Sequence, residues 1–271
     1  MILHSEKFVK YSCLVGVHFI IAPHSFIWVY GNLAEYMDSY VSYSGCDGCN
    51  DGDTQWTLPL YMACFCPGLF LVDPLVRLMG LKRTGILSML LINTSLLGSA
   101  WAIQVSVVGT IVLQGLVMGM SVSVCVYISY VFIHSWRSKH EALFFASVSC
   151  SASLLAMIED PLITEVVNSG NLQPDTMDGS KMFLSQPEIL ERVSVAILLL
   201  GGINLVLQTL GYLLVRVPSC AGPDPALFCQ HHSDTNNQTG YRFAQTEKHH
   251  DVDSISTSSN LLDDNKNRSS R

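Results

Sequence analysis

Six runs of apolar residues, each about twenty positions or longer, dominate this chain: 11 to 33, 56 to 76, 84 to 104, 107 to 133, 141 to 163 and 193 to 216. A helix rises about 1.5 Å per residue, so about 20 apolar residues reach across a hydrocarbon core of roughly 30 Å. Backbone amides find no water there, which leaves helices or a closed barrel as spanning structures; unalternating runs of this length read as helices. The sequence therefore predicts an all-α polytopic membrane protein. Its six transmembrane helices occupy 11-217, between an N-terminus at 1-10 and a tail at 218-271. Only 14% of the 271 residues are charged and the mean hydropathy is +0.34, which argues against a soluble domain.

The cations sort by side. Alternate connectors carry Lys7, Lys10, Arg77, Lys82, Arg83, Arg137, Lys139 and Arg216, whereas the opposite side carries Lys181 and Arg192. This bias places both termini and the 72–85 connector in the cytoplasm. The segment 35–53 agrees, with Glu35, Asp38, Asp47, Asp51 and Asp53 and no cation. Lys7 and Lys10 precede a run too long for a cleaved signal and without a small-x-small site, so the first span is read as an uncleaved anchor. The plasma membrane is the expected location. The net charge of -7 is spread by side, and no nucleic acid partner is expected.

Nine cysteines form no disulfide framework, since Cys13, Cys64, Cys66, Cys125 and Cys150 fall inside apolar runs. Cys46 and Cys49 in "GCDGCNDGD" could pair, stay free or bind metal; that stretch lacks the final bidentate acid of a calcium loop, Leu58 standing there. The polar tail from 218 cannot bury enough surface to offset chain entropy and is expected to be disordered. Its sequons at Asn237 and Asn267 then lie out of reach of glycosylation, and Cys229, His231, His232, His249 and His250 fit no standard metal template. Neither metal nor cofactor is expected.

No soluble-enzyme motif is present: there is no H-E-x-x-H, no phosphate-cradling glycine loop and no nucleophile elbow. No enzymatic activity is therefore expected. Two polar and aromatic stripes stand out. His24, Trp28, Asn32 and Glu35 recur at helical spacing, as do Ser123, Tyr127, Tyr130 and His134. Polar groups in a bilayer are costly unless they face a bundle interior or a wet cavity, so these faces suggest a hydrated path; interfacial aromatic belts are the other reading. Asn204 and Gln208 share a face that could bond to neighbouring helices. Gly109, Gly115 and Gly119, and Ala142, Ala146, Ser149, Ser153 and Ala156, suggest faces where helices pack closely.

The connector "VDPLVRLMGLKRTG" joins two spans through about seven residues. Pro74 is expected to constrain the end of one helix and Gly80 to supply the turn. Arg77, Lys82 and Arg83 set orientation, and Asp73 can pair with one of them as a latch between helix ends. In the 164–192 segment, Ser185 with Glu188 reads as a capping box opening the sixth helix.

"DPLVRLMGLKR" resembles the G-x-L-A-D-R-x-G-R-K-R loop between the second and third spans of the major facilitator superfamily. Gly80 meets the central glycine, and Lys82 and Arg83 meet the last basic positions. Asp73 replaces the first glycine and Arg77 the acid. "WVYGNLAEYMDSY", "DTQW", "GLVMGMSVSV", "SWRSKHEALFFASV" and the 159–193 segment resemble, in order, the oxalate/formate antiporter-like and monocarboxylate porter branch. Ile111 three residues before Gln114, and the absence of G-P-x-x-G-G, argue against a proton-coupled drug exporter. The resemblance covers about 8–217 and implies the N-terminal six-helix half of a twelve-helix transporter.

That resemblance implies alternating access for a small organic anion, a monocarboxylate or dicarboxylate, with Trp28, Asn32, Gln114 and Tyr127 lining the pathway. Asp73, Arg77, Gly80, Lys82 and Arg83 would form the gating loop. Partners would be the lipid bilayer and a second half-transporter or another copy in a homo-oligomer. The alternative is a non-transporting six-span scaffold that binds full-length relatives.

Overall fold

The computed structural model describes residues 6–43, 53–136, 140–178 and 181–216. Within them the chain is predominantly α-helical, and six helical segments are long and apolar enough to cross a membrane: Lys7–Tyr43, Thr54–Met79, Leu81–Ala102, Val107–Ser135, Glu141–Val167 and Pro187–Leu214. All six expected runs are there. The Cys46 and Cys49 readings, Arg137, Lys139 and the tail from 218 fall outside the described residues.

The first segment is not one helix. α1 (Glu6–Ile20) ends before a turn of tighter 3-10 helix, Ala22–Ser25, and α2 (Phe26–Tyr43) continues beyond it. Pro23 sits in that turn and has no N–H, so Phe19 loses its usual donor four residues on. His24 N–H instead reaches back to Ile21 O at 2.9 Å. The turn therefore interrupts the His24, Trp28, Asn32 and Glu35 stripe at its first member.

α3 (Thr57–Met79) runs straight through both Pro67 and Pro74 and is joined to α4 (Leu81–Ala102) by Gly80 alone. The expected seven-residue connector is thus a single residue. Pro74 does not end the helix; it lies inside α3, as Pro67 does. Gly80 does the turning, with φ 83° and ψ 156°, a region that side chains essentially exclude.

The fourth segment is composite as well. Ser106 caps α5 (Val107–Ile111) by accepting the Gly109 N–H. A π-helical stretch, Val112–Val117, then leads into α6 (Met118–Ser135). α7 (Glu141–Val167) contains Pro161, and α8 (Pro187–Leu214) starts on a proline at its first position. Between them β1 (Thr176–Asp178) pairs antiparallel with β2 (Lys181–Phe183).

Small residues set the helix crossings. Gly16 of α1 and Gly211 of α8 face each other so closely that a Cβ on Gly16 would meet Gly211 O at 2.8 Å, and one on Gly211 would meet Gly16 O at 2.7 Å. Gly68 of α3 and Gly119 of α6 similarly lie against backbone of the opposite helix, at Met120 and Tyr61. Gly115 meets Leu60 of α3, as the packing reading of the fourth span expects. The fifth span differs. α7 buries Val148, Ala152, Ala156, Glu159, Ile163 and Val167, while Ala142, Ala146, Ser149 and Ser153 are exposed. Its small-residue face is thus divided: Ala156 is buried in the bundle and Ser149 Oγ meets Tyr130 OH of α6 at 2.9 Å, while Ala142, Ala146 and Ser153 are exposed.

The two ends of the bundle differ in charge. Lys10 Nζ donates to Trp136 O at 3.5 Å, and Gly85 lies against Tyr212, so the start of α1, the end of α6, the α3–α4 turn and the end of α8 share one end. That end carries Lys7, Lys10, Arg77, Lys82, Arg83 and Arg216. At the other end Leu184 N–H donates to Ser39 Oγ, tying the β2 exit to α2. Glu35, Asp38, Asp175, Glu188 and Glu191 gather there.

Candidate functional site

Polar side chains inside an apolar bundle must find partners, and here most find them across helices. The densest set surrounds the break in the first span. Ser25 Oγ donates to Glu159 Oε2 at 2.5 Å, joining the 3-10 turn to α7. Ser25 is 0% exposed and Glu159 2%. About two turns along, Asn32 Nδ2 donates to Thr164 Oγ1 at 2.9 Å and to Asp160 O at 3.3 Å. These contacts clamp the turn and α2 to one face of α7.

The opposite side of the break is held by α8 and α6. Gln208 Nε2 donates to Ile20 O at 3.2 Å, while Gln208 Oε1 accepts from Asn93 Nδ2 at 2.6 Å. The Cys125 thiol also donates to Ile20 O, at 3.1 Å. Ile20 is the last residue of α1, and its carbonyl collects two donors from other helices. Gln208 thus bonds to neighbouring helices; Asn204, on the same face, bonds back to Leu200 O.

Gln114 lies in the π-helical stretch, fully buried, and donates through Nε2 to Ser99 Oγ at 2.8 Å. Ser95 Oγ caps Leu113 O at 2.5 Å, so α4 satisfies the groups that the widened turn leaves out of register. Trp28 is 64% exposed on α2, and Tyr127 is 37% exposed on α6. The structure therefore ties Asn32 and Gln114 into helix–helix bonds and leaves the two aromatic rings on the outer surface of the bundle. None of the four lines any of the three described cavities.

Those cavities sit elsewhere. One of about 360 Å³ lies at the acidic end, bounded by Glu35, Asp38, Ser39, Gln55, Pro174 and Phe183. Its Asp38 accepts from Thr54 Oγ1 and, at 3.1 Å, from Gln55 Nε2. A second, of about 490 Å³, is walled by Tyr40, Tyr43, Gln104, Glu191 and Ser194. The third, about 200 Å³ and apolar, lies between α3, α4 and α6.

In the connector, Asp73, Arg77, Lys82 and Arg83 are all exposed, and among the described residues none of them forms an ion pair. Asp73 lies in α3 nearly two turns before Gly80, and the expected pairing with Arg77, Lys82 or Arg83 is not made. The capping box is also replaced. Ser185 N–H and Oγ both bond to Asp175, at 2.9 and 2.7 Å, and Gln186 precedes α8 without a side-chain cap. Those two bonds hold the Asp175 carboxyl below the usual carboxylate range.

Sequence reasoning passed over Ser25 and Glu159. Two signals were present: Pro23 inside an apolar run, and the adjacent acids Glu159 and Asp160 within the apolar "LLAMIEDPL" of the fifth. Compared with known proteins, the chain matches no family model and no curated protein. Six membrane-length helices are compatible with a multi-pass membrane protein.

Proposed function

We propose that the chain is an integral membrane transport protein of the major facilitator type, carrying small monocarboxylate or dicarboxylate anions by alternating access. The observation that supports it best is the broken first span, whose ends are held by buried polar bonds to α6, α7 and α8. Discontinuous helices at mid-membrane are where transporters place substrates and coupling ions. The motif order along 8–217 supports the family, and the basic end at Arg77, Lys82 and Arg83 supports a cytoplasmic position for both termini.

In this reading Trp28 and Tyr127, outward in the isolated bundle, face a second six-helix unit across the substrate pathway. Asn32 and Gln114 hold the helices behind them. The Gly80 turn, with its exposed Asp73, Arg77, Lys82 and Arg83, is the gating loop whose pairing changes as the bundles rock. The second unit is another half-transporter or a second copy, in the plasma membrane.

A second reading is a non-transporting scaffold that binds larger transporters. The exposed small residues of α7, Ala142, Ala146, Ser149 and Ser153, favour it, since such faces let helices approach closely in lipid. Uptake of labelled oxalate, formate and lactate into proteoliposomes holding only this chain separates the two. Saturable flux supports transport; absent flux with co-purification of a larger transporter supports the scaffold.

A further inference from the structure

Glu159 poses a problem that its neighbours do not solve. Its Oε2 accepts from Ser25, but Oε1 is buried and has no partner. Among the described residues no cation pairs with it. An ionised carboxylate in an apolar interior costs far more than one hydroxyl bond returns, so some positive charge must accompany it.

The surrounding elements supply none. The 3-10 turn brings His24, whose Nδ1 is also buried and unpartnered. α1 brings His18, already bonded to Leu14 O and Ser147 Oγ. α2 carries Glu35 and Asp38, α6 carries His134 paired with Glu141, and α8 carries Glu188, Glu191 and Arg192 at its first turns. On α7 itself lie Asp160 and Glu165. The cations of these elements lie at the two ends of the bundle, away from the break: Lys7 and Lys10 open α1, with Lys10 Nζ bonded to Trp136 O, and Arg192 Nη1 reaches Ser169 Oγ at the acidic end.

We infer that Glu159 and Ser25 form a binding site for one small monovalent cation, a proton or a sodium ion, at the break in the first span. The site rests on the reading of α1–α2 and α7 as membrane spans. Size favours a small occupant, since Ser25 and Glu159 are both buried and their side chains stand 2.5 Å apart. Geometry supplies oxygen ligands. The Ser25 hydroxyl can turn to accept, which leaves its oxygen and the unpartnered Glu159 Oε1 as ligands. Because the site joins the turn to α7, occupancy links cation binding to the angle between the two halves of the first span.

The test uses the full chain reconstituted in lipid vesicles, after confirming that it resists alkaline carbonate extraction. Extraction would remove the membrane reading itself; the remaining outcomes concern only the site. Dicyclohexylcarbodiimide modifies carboxyl groups in apolar surroundings, and peptide mapping locates the adduct. The expected result is an adduct on Glu159 that is lost either on raising the pH, identifying the proton, or on replacing choline chloride with sodium chloride, identifying sodium.

The thermal midpoint of the wild type then responds to the same variable, and that of Glu159→Gln, which keeps an acceptor for Ser25, does not. An inserted protein without the adduct would overturn the assignment. So would an adduct on Asp160 instead, labelling indifferent to both pH and sodium, or a Glu159→Gln protein that responds as the wild type does.

Discussion

Gly16 and Gly211 occupy one another's space where α1 crosses α8: each carbonyl stands within 2.8 Å of the place a side chain on the other would take. The obstacle on each side is backbone, which cannot rotate away as a flexible side chain could. Gly16→Ala or Gly211→Ala is expected to destabilise the bundle by about 1–3 kcal/mol through overpacking. Gly202, also in α8, has nothing within 4 Å of its missing Cβ, so Gly202→Ala is expected to be neutral or slightly stabilising. Thermal midpoints of the three variants in detergent check the contrast.

Gly80 is constrained by backbone rather than by neighbours. Nothing lies within 4 Å of its missing Cβ, yet its φ of 83° excludes side chains. Gly80→Ala is expected to cost about 1–3 kcal/mol despite the free space. Equilibrium unfolding in mild detergent, compared with Gly31→Ala at an equally open helical position, measures it.

The bonds on Ile20 O give a third test. Gln208→Leu removes one donor from that carbonyl and the acceptor used by Asn93. A double-mutant cycle between Asn93→Ala and Gln208→Ala is expected to show a coupling of about 1 kcal/mol, the usual scale for such bonds between membrane helices. A coupling near zero would mean that the two side chains act independently.

At the acidic end, the pH sign follows from Asp175. Its carboxyl is held below the ordinary range by Ser185. The stabilisation is therefore fully present above the unfolded carboxylate value and is lost as pH falls through the lower folded one. Hydrogen exchange at the Ser185 amide should be slow at neutral pH and accelerate only under strong acid. Asp175→Ala should exchange quickly at every pH.

The six helices could be read directly because each apolar run carries its own signal: nothing between Ile86 and Ala102, for example, is charged. Gly80 was equally readable, since a lone glycine before Lys82 and Arg83 marks a turn. Prolines were not. Pro67, Pro74 and Pro161 sit inside helices whereas Pro23 lies in the break of one, and residue type alone does not separate the two outcomes.

Partner choice was also hidden. Ser185 has the spacing of a capping box but bonds to Asp175, ten residues back across the hairpin. Ser25 and Glu159 are separated by 134 positions, and only the fold brings them together. The Asn32 and Gln114 positions were recognised as polar, but their bonds to Thr164 and Ser99 are likewise products of packing.

The account depends on the basic and acidic ends of the bundle lying on opposite faces of a membrane. Sealed microsomal vesicles holding the chain with one epitope at its N-terminus and another inserted between Asp178 and Lys181 test this directly. Added protease is predicted to remove the N-terminal epitope and leave the hairpin epitope intact until detergent is added. Digestion of both, or protection of both, would contradict the arrangement.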